Sequence, residues 1–256
     1  MKTATHPSGL IINFNEEKHR YVDETGKRYY GTTSVIHSQF PRFDAERIAG
    51  FVARKRGCTR EEVLQEWELK RKTAADFGTR IHTYADASLT GEVIAGDTST
   101  RENLYIEQVQ KLAPKLLKHY DLLGTEVIVF SPQYNISGTL DVLMRNKRTK
   151  SLAIFDWKTN EEIRSLNKHK PSQRGFGVLS HVPDSNFFHY QLQLSLYSKI
   201  IEIENYFNIN NFELAIFHIQ AEKIIPYKMK YMESEATDLL KISKNLSLES
   251  FENLEE

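Results

Sequence analysis

Two apolar, strand-like segments of the 256-residue sequence contain charged side chains where a buried strand normally has none. Residues 137–144 (SGTLDVLM) include Asp141, and residues 151–159 (SLAIFDWKT) include Asp156 and Lys158. Side chains alternate between the two faces of a strand, so Asp156 and Lys158 are predicted to point the same way. Buried charges are costly unless they pair or bind a metal. Two neighbouring strands that each bury an aspartate therefore indicate a cage for a hard divalent cation such as Mg²⁺, which prefers oxygen ligands.

Each segment also has a plainer interpretation. Asp156 and Lys158 can form a local ion pair at the edge of a sheet, and Asp141 can cap a turn or pair with Arg145. For the second segment alone the two interpretations are evenly balanced. The presence of both segments in succession favours the metal site.

Two nearby positions extend this candidate site. Glu126, at the start of the preceding predicted strand, can supply a third carboxylate, although a lone glutamate near a strand start is more often at the surface. Gly138 precedes Asp141 in the same strand, and its lack of a side chain allows another backbone or a phosphate to approach closely.

Two pairs of polar residues lie one turn apart on predicted helices. His82 precedes Asp86, and Gln193 precedes Tyr197, each with the i, i+4 spacing that places both side chains on one helix face. Alone, the first pair is typical of a structural histidine and the second of a half-buried polar edge. Beside a metal site, His82 becomes a candidate ligand that Asp86 orients.

In combination these segments resemble a known set of motifs. Residues 138–141 (GTLD) followed by residues 156–158 (DWK) resemble the paired motif of the PD-(D/E)xK nuclease superfamily. Residues 193–197 (QLSLY) and residues 78–82 (GTRIH) are similar to the Q-x-x-x-Y and G-x-x-x-H motifs of its RecB-like branch. The repeated Gln-Leu leaves Gln191 as a less favoured alternative to the glutamine of this motif.

The resemblance covers residues 78–197, roughly half of the chain. The order and spacing of the four motifs are fairly specific, whereas each motif alone is weak. The sequences of residues 156–159 (DWKT) and 33–36 (TSVI) most resemble those of phage exonucleases and of the mitochondrial genome-maintenance exonuclease.

The resemblance implies hydrolysis of phosphodiester bonds, leaving a 5′-phosphate and a 3′-hydroxyl. One or two Mg²⁺ or Mn²⁺ ions would assist, and their implied ligands are Asp141 and Asp156, the backbone carbonyl of Trp157, and His82 or Glu126.

The remaining motif residues have implied roles around that metal. Lys158 would orient or deprotonate the attacking water, and Gln193 and Tyr197 would contact the phosphate or the metal-bound water. An ammonium beside carboxylates and a metal experiences opposing effects on its pKa, so the base role of Lys158 stays open.

Charge and aromatic residues predict where a nucleic acid binds. The chain carries 34 basic and 34 acidic residues, yet residues 145–174 contain nine basic residues against three acidic ones. The predicted loop 160–186 carries basic residues near aromatic ones, which suits single-stranded DNA or a plain surface loop equally. The predicted DNA contacts are Arg164, Lys168, Lys170 and Arg174, with Ser34 at a motif position that touches phosphate.

Composition limits the remaining possibilities. Cys58 is the only cysteine, which excludes an intramolecular disulfide and a four-cysteine iron–sulfur cluster. No apolar run has the roughly 20 residues that span a bilayer, and the N-terminus resembles neither a signal nor a transit peptide. We therefore expect a cytoplasmic protein without a membrane partner, in a bacterial host if the gene belongs to a phage.

The elements that must position these residues follow from periodicity and turn residues. The sequence predicts a hairpin of residues 10–14 and 28–35, a helix over 44–55, a helical stretch over 59–89 that is interrupted near Gly78, and a helix over 102–123. Strands at 126–130, 138–146 and 152–159 follow, then the long loop, a helix at 188–204, strands at 212–220 and 225–232, and a helix from Glu235.

This order predicts an α/β-class protein, more exactly an α+β fold in which helices flank a mixed sheet. The resemblance implies a restriction-endonuclease-like core. We expect residues 101–256 to form that core and residues 1–100 to form a hairpin and helical extension, together as one compact unit.

Three functions are consistent with this sequence. The first is an exonuclease that acts on single-stranded DNA or on DNA with a free end, in phage or viral recombination, end processing or replication. A recombination or single-strand-annealing protein is a conceivable partner. The second is a structure-specific or restriction-type endonuclease of the same fold. The third is a catalytically inactive DNA-binding module, which the intact Asp141, Asp156 and Lys158 disfavour.

Overall fold

The structure is a computed structural model that describes residues 2–15, 18 and 20–246, and within them nine strands and six α-helices. The strands are β1 (Lys2–Thr5), β2 (Ile11–Asn15), β3 (Arg20–Asp23), β4 (Arg28–Gly31), β5 (Tyr120–Ser131), β6 (Ile136–Asn146), β7 (Leu152–Lys158), β8 (Phe212–Ile219) and β9 (Ile224–Met229). The helices are α1 (Thr32–His37), α2 (Ala45–Arg56), α3 (Arg60–Thr90), α4 (Thr100–His119), α5 (Asn186–Ile203) and α6 (Glu233–Asn245). Residues 247–256 lie outside the described residues.

All nine strands belong to one mixed sheet. Its order is β1-β2-β3-β4-β6-β7-β8-β9, and β5 pairs with β6 outside this path. The pairs β4–β6 and β7–β8 are parallel, and the remaining pairs are antiparallel. The sheet joins strands from residues 1–100 to strands from residues 101–256.

Helices cover both faces of this sheet. One apolar layer packs α1, α5 and α6 against it, and a second packs α3 and α4 against the other face. Along β7, Leu152 and Ile154 lie in the α1/α5/α6 layer, whereas Phe155 and Trp157 lie in the α3/α4 layer. The alternation predicted for this strand is therefore confirmed, as is the α+β architecture of a mixed sheet between helices.

The N-terminal hairpin predicted over residues 10–14 and 28–35 is wrong in its pairing. An additional strand, β3, lies between β2 and β4, so these strands form a meander rather than a single hairpin. Residues 32–37 are helical because β4 ends where it meets β6, at Gly31, and α1 then packs on α5.

Two helix boundaries also differ from the prediction. The helix expected to reach residue 123 ends at His119, because Tyr120 and Leu122 pair with Asn146 and Met144 of β6. The interruption expected near Gly78 does not occur, and α3 runs unbroken from Arg60 to Thr90. A glycine weakens a helix by about 1 kcal/mol, which α3 tolerates because it is long and begins with a Thr59–Glu62 capping box.

No helix in the described part of the chain combines the length and the apolar character that crossing a bilayer would require.

The β3–β4 turn depends on one buried carboxylate. Asp23 accepts hydrogen bonds from the backbone N–H and hydroxyl of Thr25, the backbone N–H of Lys27 and the hydroxyl of Tyr29. Burial alone would raise the pKa of Asp23, but these hydrogen bonds lower it below its usual value. The ionised form is therefore stabilised by folding.

We expect Asp23→Ala to lower the free energy of unfolding by about 1–3 kcal/mol near pH 7, because its donors lose their acceptor. A carboxyl whose pKa is lower in the folded state stabilises above its unfolded pKa of about 3.9 and loses that contribution as the pH falls through the folded pKa. Denaturant unfolding of both proteins should show a difference that shrinks below about pH 4. Asp121→Ala, at an exposed pair with Lys147, is the control and should change stability by about 0–1 kcal/mol at every pH.

Candidate metal centre

A gap beside β6 provides the place for the predicted site. Along one edge, β6 pairs with β4 up to Ser137 and with β7 only from Val142 onward. Asp141 stands between these two pairings, and its Oδ2 accepts a hydrogen bond of 2.8 Å from the backbone N–H of Trp157. The carboxylate thus takes the place of a backbone acceptor where β6 and β7 separate.

Asp141 also lies where the alternation of β6 is broken. Leu140 packs in the α1/α5/α6 layer and Val142 in the α3/α4 layer, although residues two apart on a regular strand share a face. An irregular strand of this kind re-aims a side chain, here the carboxylate of Asp141.

Glu126 is held opposite Asp141 by strand register. Thr125 pairs with Val142 and Val127 pairs with Leu140, so Glu126 faces Asp141 across the β5–β6 ladder. Its φ is +50°, a left-handed conformation that costs a non-glycine residue about 1–3 kcal/mol. Glu126 is therefore an internal, strained residue of β5 rather than the first residue of a strand, as predicted.

His82 of α3 completes a group of three potential ligands. Its Nδ1 lies 3.5 Å from Oδ2 of Asp141. Ligand atoms of His82, Glu126 and Asp141 all lie within 4.8 Å of one another, so the group can hold a metal ion. One imidazole and two carboxylates fit a divalent cation such as Mn²⁺ or Mg²⁺.

The protonation of His82 suits a ligand. Burial, followed by the charge of Lys158, lowers the pKa of His82 to about 4. The imidazole is therefore neutral at pH 7 and has a free lone pair, which a metal requires.

The pKa of the Asp141 carboxyl is shifted in the opposite direction from that of His82. Burial and the neighbouring Asp156 raise its pKa well above the usual range, only partly offset by Lys158. Positive charge from a cation beside Asp141 would offset this repulsion and favour its ionised form.

Asp156 and Lys158 lie beside this group but form a pair of their own. The ammonium of Lys158 contacts Oδ2 of Asp156, whose side chain is only 4% exposed, and lies 4.8 Å from the ring centroid of Tyr190. Burial lowers the pKa of Lys158, but Asp156 and Asp141 together raise it well above its usual value. The structure thus places Asp156 in an ion pair and outside the three-ligand group, and Lys158 is a cation.

Asp86, which was predicted to orient His82, forms no hydrogen bond with it among the described residues. The carboxyl of Asp86 lies near the indole of Trp157, and its Oδ1 is buried without a hydrogen-bond partner. Burial and the charge of Glu126 raise the pKa of Asp86 to about 7. With His82 and Glu126 it lines a cleft of about 680 Å³. Lys2 also lines this cleft, 3.4 Å from Glu126, and nothing in the sequence pattern indicated that contact.

Gln193 and Tyr197 of α5 contact each other, as their i, i+4 spacing predicts. Gln193 donates a hydrogen bond of 2.8 Å to the hydroxyl of Tyr197. Gln191 is buried elsewhere and accepts from the backbone N–H of Lys230, so it is Gln193 that shares a face with Tyr197. Tyr197 also contacts Thr32 of α1, a residue that none of the sequence motifs includes.

Gly138 makes room for Tyr197 rather than for a backbone or a phosphate. A Cβ at this position would lie 2.4 Å from Cε1 of Tyr197 and 2.9 Å from Oγ1 of Thr32. The phenol ring therefore packs directly on the backbone of β6, three residues before Asp141.

We expect Gly138→Ala to lower the free energy of unfolding by about 1–3 kcal/mol, because the ring of Tyr197 must move. Gly50→Ala is the matched control, since Gly50 lies in α2 with open space around its Cβ position and should gain up to about 1 kcal/mol. Equal effects in thermal unfolding would contradict this account of Gly138.

The four basic residues predicted to contact DNA fall into two groups. Lys168 and Lys170 are exposed and form no ion pair among the described residues. Arg164 pairs with Glu162, and the guanidinium of Arg174 donates to the carbonyls of Pro171 and Gln173. Ser34 is half-buried in α1.

No protein-family model matches this chain, and no curated protein matches it significantly.

Proposed function

We propose that this protein is a divalent-metal-dependent nuclease with a RecB-like PD-(D/E)xK core, hydrolysing DNA from a free end. The observation that carries the proposal is the convergence of His82, Glu126 and Asp141 from three different elements, with Asp156 and Lys158 beside them. A strained backbone, a gap in the sheet and buried charges are costly, and together they favour a functional site over a structural one.

His82, Glu126 and Asp141 would hold the cation, and Asp156 stands close enough to raise the pKa of Asp141. A divalent cation bound there would supply positive charge that offsets the charge developing on the scissile phosphate. The donor set accepts Mg²⁺ or Mn²⁺, and one cation is what the three ligands support.

Lys158 acts in this proposal as a charged donor. Because its pKa is raised, it orients the attacking water and the phosphate through its ammonium rather than removing a proton. Water attacks phosphorus and the bond from phosphorus to the 3′ oxygen breaks. The attacking water releases a proton to solvent and the 3′ oxygen takes one up, so the products are a 5′-phosphate and a 3′-hydroxyl.

Gln193 and Tyr197 position this arrangement from the α5 side. Their hydrogen bond fixes the Tyr197 ring over Gly138, and the ring holds β6 where Asp141 leaves the ladder. The motif resemblance and the exposed lysines of the long loop together support DNA as the substrate. The motif resemblance also supports a role in recombination, end processing or replication.

Digestion of linear and covalently closed circular DNA in the presence of Mg²⁺ tests the proposal. An exonuclease degrades linear molecules and spares closed circles. Nicking of the circles would assign the site to an endonuclease, and binding without cleavage of either form would assign it to an inactive module. Blocking the 5′ or the 3′ end of a labelled strand then gives the direction of digestion.

A further inference from the structure

A second pocket lies apart from the metal centre, between α2, α3 and the long loop. It has a volume of about 680 Å³, and Phe43, Trp67, Arg47 and Lys170 are among its lining residues. Phe43 is 69% exposed, and its ring centroid lies 5.8 Å from that of Trp67. A large apolar ring left open to solvent beside a second aromatic ring provides a stacking surface.

Trp67 is fixed in place while one part of it stays accessible. It packs on the small apolar cluster formed by Ala49, Ala53 and Val63, which joins α2 to α3. It is half-buried and also lines the pocket. The Trp67 part of the aromatic surface is therefore held in place, so stacking on that ring costs little conformational entropy.

The charge around the pocket suits an anion. Lys170 is exposed and forms no ion pair among the residues that the structure describes, and His169 lies beside it. The two acids that line the pocket already have partners: Asp44 pairs with Arg47 at 3.2 Å, and Asp184 accepts a hydrogen bond from the side-chain amide of Gln173 and lies 3.0 Å from His189.

The pocket and the metal centre are connected by α3. Trp67 and His82 lie on this helix about four turns and ~22 Å apart. Between them, Lys70 pairs with Glu161 at 3.6 Å, and Gly78 packs against Thr159, the residue after Lys158. A single strand of DNA that leaves the metal centre along α3 therefore reaches the pocket.

We propose that this pocket is a subsite for single-stranded DNA, in which one base stacks on Phe43 and Trp67 while the adjoining phosphate lies against Lys170. This proposal rests on the proposed nuclease function and specifies the substrate of that nuclease as a single strand. Bases of a duplex are stacked inside the helix, so the subsite selects an unpaired strand.

Tryptophan fluorescence of the full chain, titrated with oligothymidylate in EDTA, tests the subsite without cleavage. Trp157 is 1% exposed, so quenching by the oligonucleotide reports on Trp67. Trp67→Phe should remove most of the quenching. Phe43→Ala should weaken binding about 5- to 150-fold, because one base stack is lost.

Phe51→Ala is the matched control. Phe51 is 52% exposed on α2, but its ring contacts Arg54 and does not line the pocket. It should leave the affinity unchanged, and anisotropy of a labelled oligothymidylate measures the affinity even where the fluorescence does not change. Equal affinities of Phe43→Ala and Phe51→Ala, or binding of polyglutamate with the same dependence on Phe43, would overturn the proposal.

The cleavage assay separates this inference from the proposed function. With Mg²⁺ and single-stranded DNA, Phe43→Ala should raise KM and leave kcat unchanged. If the protein cleaves with an unchanged KM in this variant, the subsite is wrong and the nuclease stands. If Phe43 governs binding in EDTA but no cation supports cleavage, the subsite stands and the nuclease is wrong.

Discussion

Replacing Asp141 with asparagine is expected to lower the rate of DNA hydrolysis about a thousandfold or more, while the protein remains folded. The loss corresponds to several kcal/mol of transition-state stabilisation that a bound cation supplies. The fold should tolerate the change because the asparagine carbonyl can still accept the hydrogen bond from Trp157. Rates with saturating Mg²⁺ and thermal unfolding of the same sample measure both effects.

Asp121→Asn on the exposed part of β5 is the control for this change and should cleave like the unmodified protein. Asp156→Asn should differ from Asp141→Asn in stability, because it leaves the buried ammonium of Lys158 without its partner at a cost of ~3–5 kcal/mol. Hydrolysis by Asp141→Asn at the unmodified rate would remove this residue from the metal centre.

Replacing Lys158 with methionine is expected to slow hydrolysis by about 10²–10⁴-fold, the range typical of a positioned catalytic group. Methionine keeps much of the side-chain volume beside Tyr190 but lacks the ammonium. The substitution should also destabilise the protein by ~3–5 kcal/mol, because Asp156 remains as an uncompensated buried charge. Single-turnover rates must therefore be given per folded molecule.

The double variant Asp156→Asn, Lys158→Met separates the catalytic role from the structural one. It removes both charges, so stability should return to within about 1–2 kcal/mol of the unmodified protein. Activity should stay low. A double variant that is both stable and active would mean that the Asp156–Lys158 pair only stabilises the fold.

The sequence predicts which residues belong to the site better than it predicts how they are arranged in space. Alternation along β7 correctly places Asp156 and Lys158 on one face, and the i, i+4 spacing correctly brings Gln193 to Tyr197. These are local patterns, in which the geometry of one strand or one helix fixes the neighbours. The mixed sheet between helices also follows from the order of elements.

Contacts between distant segments are harder to predict. The position of Glu126 opposite Asp141 depends on the register of β5 against β6, and its left-handed backbone has no signal in the local sequence. The strand β3 was missed because its four residues are too few to show a period. The close packing of Tyr197 on Gly138 depends on how α5 docks on the sheet.

The proposed nuclease activity requires a cation held by His82, Glu126 and Asp141. Its most direct test is the release of label from linear single-stranded DNA by the full chain, followed through EDTA treatment and return of Mg²⁺ or Mn²⁺, with Asp141→Asn in parallel. We expect release by the unmodified protein to stop in EDTA and resume with the cation, and the variant to stay inactive throughout. Release that continues in EDTA, that never occurs with either cation, or that proceeds equally in Asp141→Asn would contradict the claim.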